Sequence, residues 1–287
     1  MPPVALDVRG RIDRIAERFP PLRYVLAVLD RYGALHGNVS ANSITLTAFL
    51  ALFAITLLAV AAVGYIDRAN VDVAKAITQW LGLSGDAARV VTEAVSTASN
   101  SARFATLIGF IGVVTIGTSF GGAVATAYNI AWGVKNRGLI ERARALVWLL
   151  GFGLLGAVSV MATTLWTRLP TDLSALVVLI TMTANTVLWL FTSWWLPNRR
   201  TTFRAMLPAA VIGAVMLEAL KVFGGIWVPR LVRNASELWG AIGAVFALIA
   251  WILFFGRVVV YVSVIEILEA ERIGERQPPA DWLQEPR

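Results

Sequence analysis

Long apolar runs separated by short charged turns organise this chain. Six of them, at about 44–66, 105–129, 145–167, 173–195, 207–228 and 238–261, are each long enough to cross a hydrocarbon core of about 30 Å as a helix. The pattern predicts an all-α polytopic membrane protein with six transmembrane helices. Ahead of the first run, Ile12, Ile15 and Phe19 recur at near-helical spacing, as do Leu22, Val25, Leu26 and Leu29 beyond Pro20-Pro21. Two short amphipathic helices lying at the membrane interface are expected there. Residues 67–104 mix charges (Asp67, Arg68, Asp72, Lys75, Asp86, Arg89, Glu93, Arg103) with an apolar stripe of Val71, Ala74, Ile77, Trp80 and Leu81. They predict an amphipathic helical hairpin on the outer surface, turning at LGLSGD. The expected organisation is a cytoplasmic amphipathic segment over 1–43, a six-helix membrane domain over 44–268, and a cytoplasmic tail over 269–287.

Composition sharpens this picture. The chain is 57% hydrophobic and only 15% charged, with a mean hydropathy of +0.70, where soluble domains average about 25% charged. It has no cysteine and one histidine, His36, which excludes disulfides, thiolate chemistry and a multi-histidine metal site within one chain. No G-x-S-x-G elbow or Walker lysine loop occurs, so neither a catalytic residue nor a cofactor is expected, and the chain is read as a non-enzyme. Any transport would then be ion-coupled, gradient-driven or powered by a partner. The first apolar run is too long for a signal sequence and reads as a retained span.

The net charge of +7 resides between the spans. Lysine and arginine number six before the first span, four in the second-to-third turn, three in the fourth-to-fifth turn and three in the tail, sixteen in all, against seven on the other side. That asymmetry places both termini in the cytoplasm. Trp132, Trp148, Trp194 and Trp195 then fall at inner ends, and Trp166, Trp227 and Trp239 at outer ends, as an interfacial aromatic belt requires. The expected partners are membrane lipids with anionic headgroups, not nucleic acid. A homo-oligomer is allowed.

Candidate chemistry lies where the pattern is broken. Glu218 and Lys221 sit inside the fifth run, where a charge costs about 2.5–3.5 kcal/mol on insertion scales and usually faces protein or a water-filled cavity. At i,i+3 they share a helical face and can pair. The bland reading is that Lys221 snorkels outward and Glu218 neutralises it. Arg257, near the end of the sixth run, is read as snorkelling or touching headgroups, and Glu266 as solvated at the inner surface. Asn185 reads as interhelical glue. Gly117, Gly121 and Gly122 in the second run allow either close helix packing or a local kink. Arg199, Arg200 and Arg204 form a headgroup-facing basic turn. A cavity lined by spans two, five and six is expected, in which Asn129, Glu218, Lys221 and Arg257 contact an anionic headgroup or a coupling proton.

Several of these segments carry a resemblance: Ala123, Ala127, Tyr128, Asn129, Ile130, Ala131 and Trp132; the L-P-N-R-R turn from Leu196 to Arg200; Leu207-Pro208-Ala209-Ala210; and L-E-A-L-K from Leu217 to Lys221. In them, and over most of residues 20–268, the chain resembles the YihY/BrkB inner-membrane proteins, and within them looks most like the YhjD group. It departs in having Pro208-Ala209-Ala210 where many relatives have Pro-Gly-Ala, and in lacking a Gly-x-Glu in the last span. The resemblance implies a bacterial inner-membrane protein of six spans, linked in the YhjD group to export of lipid or lipid-linked envelope material. The family's old ribonuclease BN label finds no metal-ligand cluster here to support it. Two functions are therefore carried forward. One is a transporter or flippase-like protein for a lipid or lipid-linked envelope precursor. The other is a non-transporting scaffold for envelope integrity.

Overall fold

A computed structural model of the chain describes residues 19–66, 93, 102–136, 138–166, 174–199, 201–239 and 241–276, with no strand among them. The helices are α1 (Pro20–Ala34), α2 (Gly37–Ile66), α3 (Ala102–Gly112), α4 (Thr118–Trp132), α5 (Leu139–Trp166), α6 (Ser174–Trp195), α7 (Phe203–Trp239) and α8 (Ala241–Arg272). A single π turn, Val113–Gly117, joins α3 to α4 into one rod. Among the described residues, four stretches are long and apolar enough to cross a membrane: Gly37–Ile55, Leu107–Trp132, Phe203–Gly224 and Val245–Arg272.

Neighbour relations close on themselves. The α3–α4 rod packs on α2, α2 on α8, α8 on α7, α7 on α6, α6 on α5, and α5 back on α4. The α8 helix also touches α4, so it is the element most enclosed by others. Tryptophan and phenylalanine fill the interior, with Phe120, Trp148, Phe152 and Phe255 in ring contact. The Trp148 indole finds its hydrogen-bond partner in the Thr192 hydroxyl at 3.0 Å, as a buried indole requires. Close approach of α2 and α8 depends on Gly256, where a Cβ would stand 2.7 Å from the Ala41 carbonyl oxygen.

Two boundaries differ from the sequence pattern. The α2 helix starts at Gly37, seven residues before the expected 44, because Asn38, Ser40, Asn42 and Ser43 form polar first turns that an apolar window does not register. The α7 helix is 37 residues long and runs through Pro229 to Trp239, where an outer loop was expected. Leu231, Arg233, Glu237 and Leu238 are good helix formers, and polarity alone does not end a helix. The α8 helix runs past the end of its apolar run at 261 to Arg272, in keeping with the helical pattern of the tail sequence ahead of Pro278-Pro279.

The second amphipathic segment before the first span is α1, opened by its proline pair at the first helical positions, where a missing N–H costs nothing. It is held against the end of α8 by the buried Arg31, whose Nη2 lies 2.6 Å from both carboxylate oxygens of Glu271, and by the Tyr24 hydroxyl, which donates to Glu269 at 2.9 Å. The amphipathic helix expected over 12–19 lies outside the described residues but for Phe19, and so does the hairpin over 67–104 but for Glu93 and residues 102–104.

Candidate functional site

The α7 helix carries Glu218 and Lys221 one turn apart, and their side chains meet at 2.7 Å. From α6, the Asn185 amide donates to the same Glu218 oxygen at 2.6 Å. Asn185 is 2% exposed, whereas Glu218 and Lys221 each retain 26%. The charge pair is thus tethered to the neighbouring helix. Its amide partner is the residue that the sequence marked as interhelical glue.

The four residues expected around one cavity fall in three places. Arg257 lies on the α1 side, where its charge acts on the Tyr32 phenol; its guanidinium sits 6.0 Å from the Phe254 ring, and its Nε is buried without a hydrogen bond. Asn129, fully buried at the end of α4, donates to Asn136 at 2.9 Å and to Glu141 at 2.6 Å, and accepts the Asn198 backbone N–H at 2.9 Å. It ties together α4, the following turn, the first turn of α5 and the Leu196–Arg200 segment. Gly133, at φ +66° in the left-handed region, ends α4 so that this turn can fold back.

Two of the three glycines lie at close helix contacts, and the helix runs without a break through the Gly121-Gly122 pair. A Cβ on Gly117 would stand 2.6 Å from a Leu149 methyl, and one on Gly121 would stand 2.7 Å from the Ala145 Cβ and 3.1 Å from its Cα. Both let α5 come close. Gly122 meets nothing within 4 Å and opens on a groove. The π turn, which ends on Gly117 and precedes Gly121 and Gly122, supplies the local departure from α geometry, a feature frequent at functional sites.

That groove, of about 760 Å³, is lined by Thr115, Thr118, Ser119, Gly122 and Thr126 on the rod and by Leu146 on α5, and it reaches Asn136, Glu141 and Arg142 at one end. Residues 115, 118, 119, 122 and 126 follow helical spacing, so their small polar groups form one stripe. Thr115, Thr118 and Ser119 each donate their hydroxyl hydrogen to their own helix's carbonyls, which leaves oxygen lone pairs facing outward. The cavity expected among spans two, five and six is not the one found here. The described groove lies between the second and third apolar runs, with Gly122 in its wall.

A smaller cavity of about 330 Å³ is lined by Trp132, Arg199, Thr201, Thr202 and Glu275. The Arg199 and Arg276 guanidinium carbons sit 4.8 and 5.7 Å from the Trp132 ring centroid, within cation–π range. Arg199 donates to the Glu275 carbonyl at 3.2 Å and Arg276 to the Ala131 carbonyl at 3.0 Å. The Glu275 carboxylate accepts from the Thr202 backbone N–H and hydroxyl, closing the start of α7. Burial lowers the pKa of Arg276, against the neighbouring Glu271 carboxylate. Of the basic turn, Arg199 is therefore engaged in the protein, Arg204 is exposed on the first turn of α7, and Arg200 lies outside the described residues.

Glu266 requires a correction. Expected to be solvated, it is 0% exposed, on the face of α8 that meets α4 and α6, and neither carboxylate oxygen has a hydrogen-bond partner. The Ser193 hydroxyl and Trp132 indole approach it without reaching hydrogen-bond geometry, and the buried Tyr128 phenol feels its charge. The reason is packing: residues 262–267 of α8 are buried on every side, which keeps Glu266 inside the bundle. A signal was present in the sequence. Val262, Val264, Ile265, Ile267 and Leu268 continue the apolar run around Glu266, although Ser263 and Glu269, three residues to either side, share its helical face.

Among the described residues no group of three or more acidic or histidine side chains could hold a metal ion. A family model described as virulence factor BrkB matches residues 28–285 of the chain. No curated protein and no solved structure matches it.

Proposed function

The chain belongs to the virulence factor BrkB family, and from that premise we propose that this membrane protein is a flippase-like transporter of a lipid or lipid-linked envelope precursor in the bacterial inner membrane. The observation that carries the proposal is the hydroxyl-lined groove along Thr115, Thr118, Ser119, Gly122 and Thr126. These residues stand in a stretch apolar enough to cross a membrane. A polar headgroup crossing hydrocarbon without partners pays several kcal/mol per group. A stripe of hydroxyl oxygens lowers that cost along its length, while acyl chains remain in the bilayer. Glu141 and Arg142 at one end of the groove offer a charged station of either sign.

In this reading the helices make six spans, α5 and α6 completing the four apolar stretches, with both termini in the cytoplasm. The α1 helix lies at the inner interface. No reaction is catalysed and no cofactor is used, and the contacts are with lipid headgroups, not nucleic acid.

The test is movement of headgroup-labelled lipid across proteoliposomes, read by loss of fluorescence to a membrane-impermeant quencher. Protein should accelerate it, Gly122→Leu should slow it by filling the groove, and Glu218→Gln should reduce it. Equal rates with and without protein would refute transport, and the scaffold alternative, with activity lost on charge reversal at Arg199 and Arg204, would take its place.

A further inference from the structure

The fully buried carboxyl of Glu266 has no place in the groove, and its surroundings are unusual. It has no ion-pair partner among the described residues and no hydrogen bond, yet three groups able to exchange or donate a proton converge on it from two other helices: Tyr128 and Trp132 of α4 and Ser193 of α6. All three are at most 3% exposed. The Ser193 hydroxyl and Tyr128 phenol contact each other at 3.4 Å. An ionisable residue enclosed within a membrane bundle is a functional site by default. We propose that Glu266 is a proton-binding site, the station at which the protein takes up and releases the proton that drives transport; the word "drives" rests on the transport reading, the proton binding does not.

Among the described residues no cation makes an ion pair or hydrogen bond with this carboxyl. The α2 and α6 helices contain no charged residue. On α7, Glu218 and Lys221 are paired with each other, and Arg204 is exposed on the first turn. From α1, Tyr24 and Arg31 are directed at Glu269 and Glu271, beyond Glu266 along α8. On α5, Glu141 is bonded to Asn129, and Arg144 to the Trp195 carbonyl and Asn198. The remaining neighbour is Trp132, whose indole approaches Glu266 while its ring lines the 330 Å³ cavity beneath Arg199 and Arg276. That mouth also carries the Glu275 carboxylate, so its charge does not select the ion. Beside Glu266 itself, Ser193 and Tyr128 are hydroxyl groups that both donate and accept, and so can exchange a proton. Among the described residues no group of three acidic or histidine side chains gathers to hold a metal ion, so the site suits a proton better than sodium.

Dicyclohexylcarbodiimide forms an adduct with a protonated carboxyl in apolar surroundings, and mass spectrometry of the full-length protein in liposomes locates it. The expected result is an adduct at Glu266 that falls as pH rises, is indifferent to sodium, is lost in Glu266→Gln and is unchanged in Glu218→Gln. The infrared difference between wild type and Glu266→Gln should show a carboxyl band that titrates over the same range. A band and adduct level invariant with pH would overturn the proposal, and suppression by sodium in place of alkali would replace the proton with a metal cation. A titrating Glu266 in protein that moves no lipid would sink the transport reading alone. Lipid movement with an inert Glu266 would sink only this one.

Discussion

The amide of Asn185 on α6 and the carboxylate of Glu218 on α7 meet at 2.6 Å, and the oxygen they share is also the one that Lys221 holds at 2.7 Å. Two donors on one carboxylate oxygen act with it as a unit. Lys221→Met should cost about 1–3 kcal/mol, the penalty for leaving a partly buried acceptor undersatisfied. Glu218→Gln with Lys221→Met should cost less than the two single changes together, with a coupling energy of about 0.5–3 kcal/mol. Unfolding in detergent, followed by the intrinsic fluorescence of the 11 tryptophans, reads these quantities. Additive losses would mean that the contact contributes nothing.

Adjacent glycines should behave in opposite ways. A Cβ at Gly121 collides with Ala145, including its backbone carbonyl oxygen at 3.2 Å, and backbone cannot rotate away. Gly121→Ala should therefore destabilise by about 1–3 kcal/mol through overpacking. Gly122→Ala meets open space and should be neutral or gain up to about 1 kcal/mol from helix propensity. Thermal shifts of the two variants, measured side by side in the same detergent, check this. Equal losses would mean that α5 does not pack on the Gly121 face.

Much of the architecture was legible because the bilayer imposes it. Apolar runs of bilayer length can satisfy their backbone only as helices, so helices α2 to α8 fall where the runs are. What escaped the sequence was set by third parties. Glu218, Lys221 and Asn185 each stand out in an apolar segment, but only helix packing shows that one oxygen unites them. Asn129 looked equally out of place, and the fold places it in a different cluster, because its partners Asn136, Glu141 and Asn198 come from a turn, α5 and a second turn. Glu266 was misjudged because charge close to the chain's end suggests solvent, although Val262, Val264, Ile265 and Ile267 carry the hydropathy of α8 past it. The groove could not be located in advance, since it depends on which face of the rod the π turn and Gly121 press against α5.

The junction of α1 with α8 should make stability sensitive to alkali. The Tyr24 phenol is pushed above its ordinary value of 10.0, first by burial, then by its hydrogen bond to Glu269 and that carboxylate's charge, with Arg272 opposing. The folded protein thus holds this proton more tightly than the unfolded chain does. Above pH 10 the folded state binds more protons than the unfolded one, so stability falls as pH rises. The contribution is present in full below pH 10.0 and is lost as pH climbs toward the raised value. Tyr24→Phe removes both the hydrogen bond and the titration. It should cost about 1 kcal/mol at neutral pH and yet lose less stability than wild type on going to alkali, so that the two melting-temperature curves converge. Tyr32, also raised by burial, keeps its own share of the alkaline loss in both proteins, so the slope is reduced and not abolished. Parallel curves across the alkaline range would show that the Tyr24–Glu269 contact does not hold α1 in place.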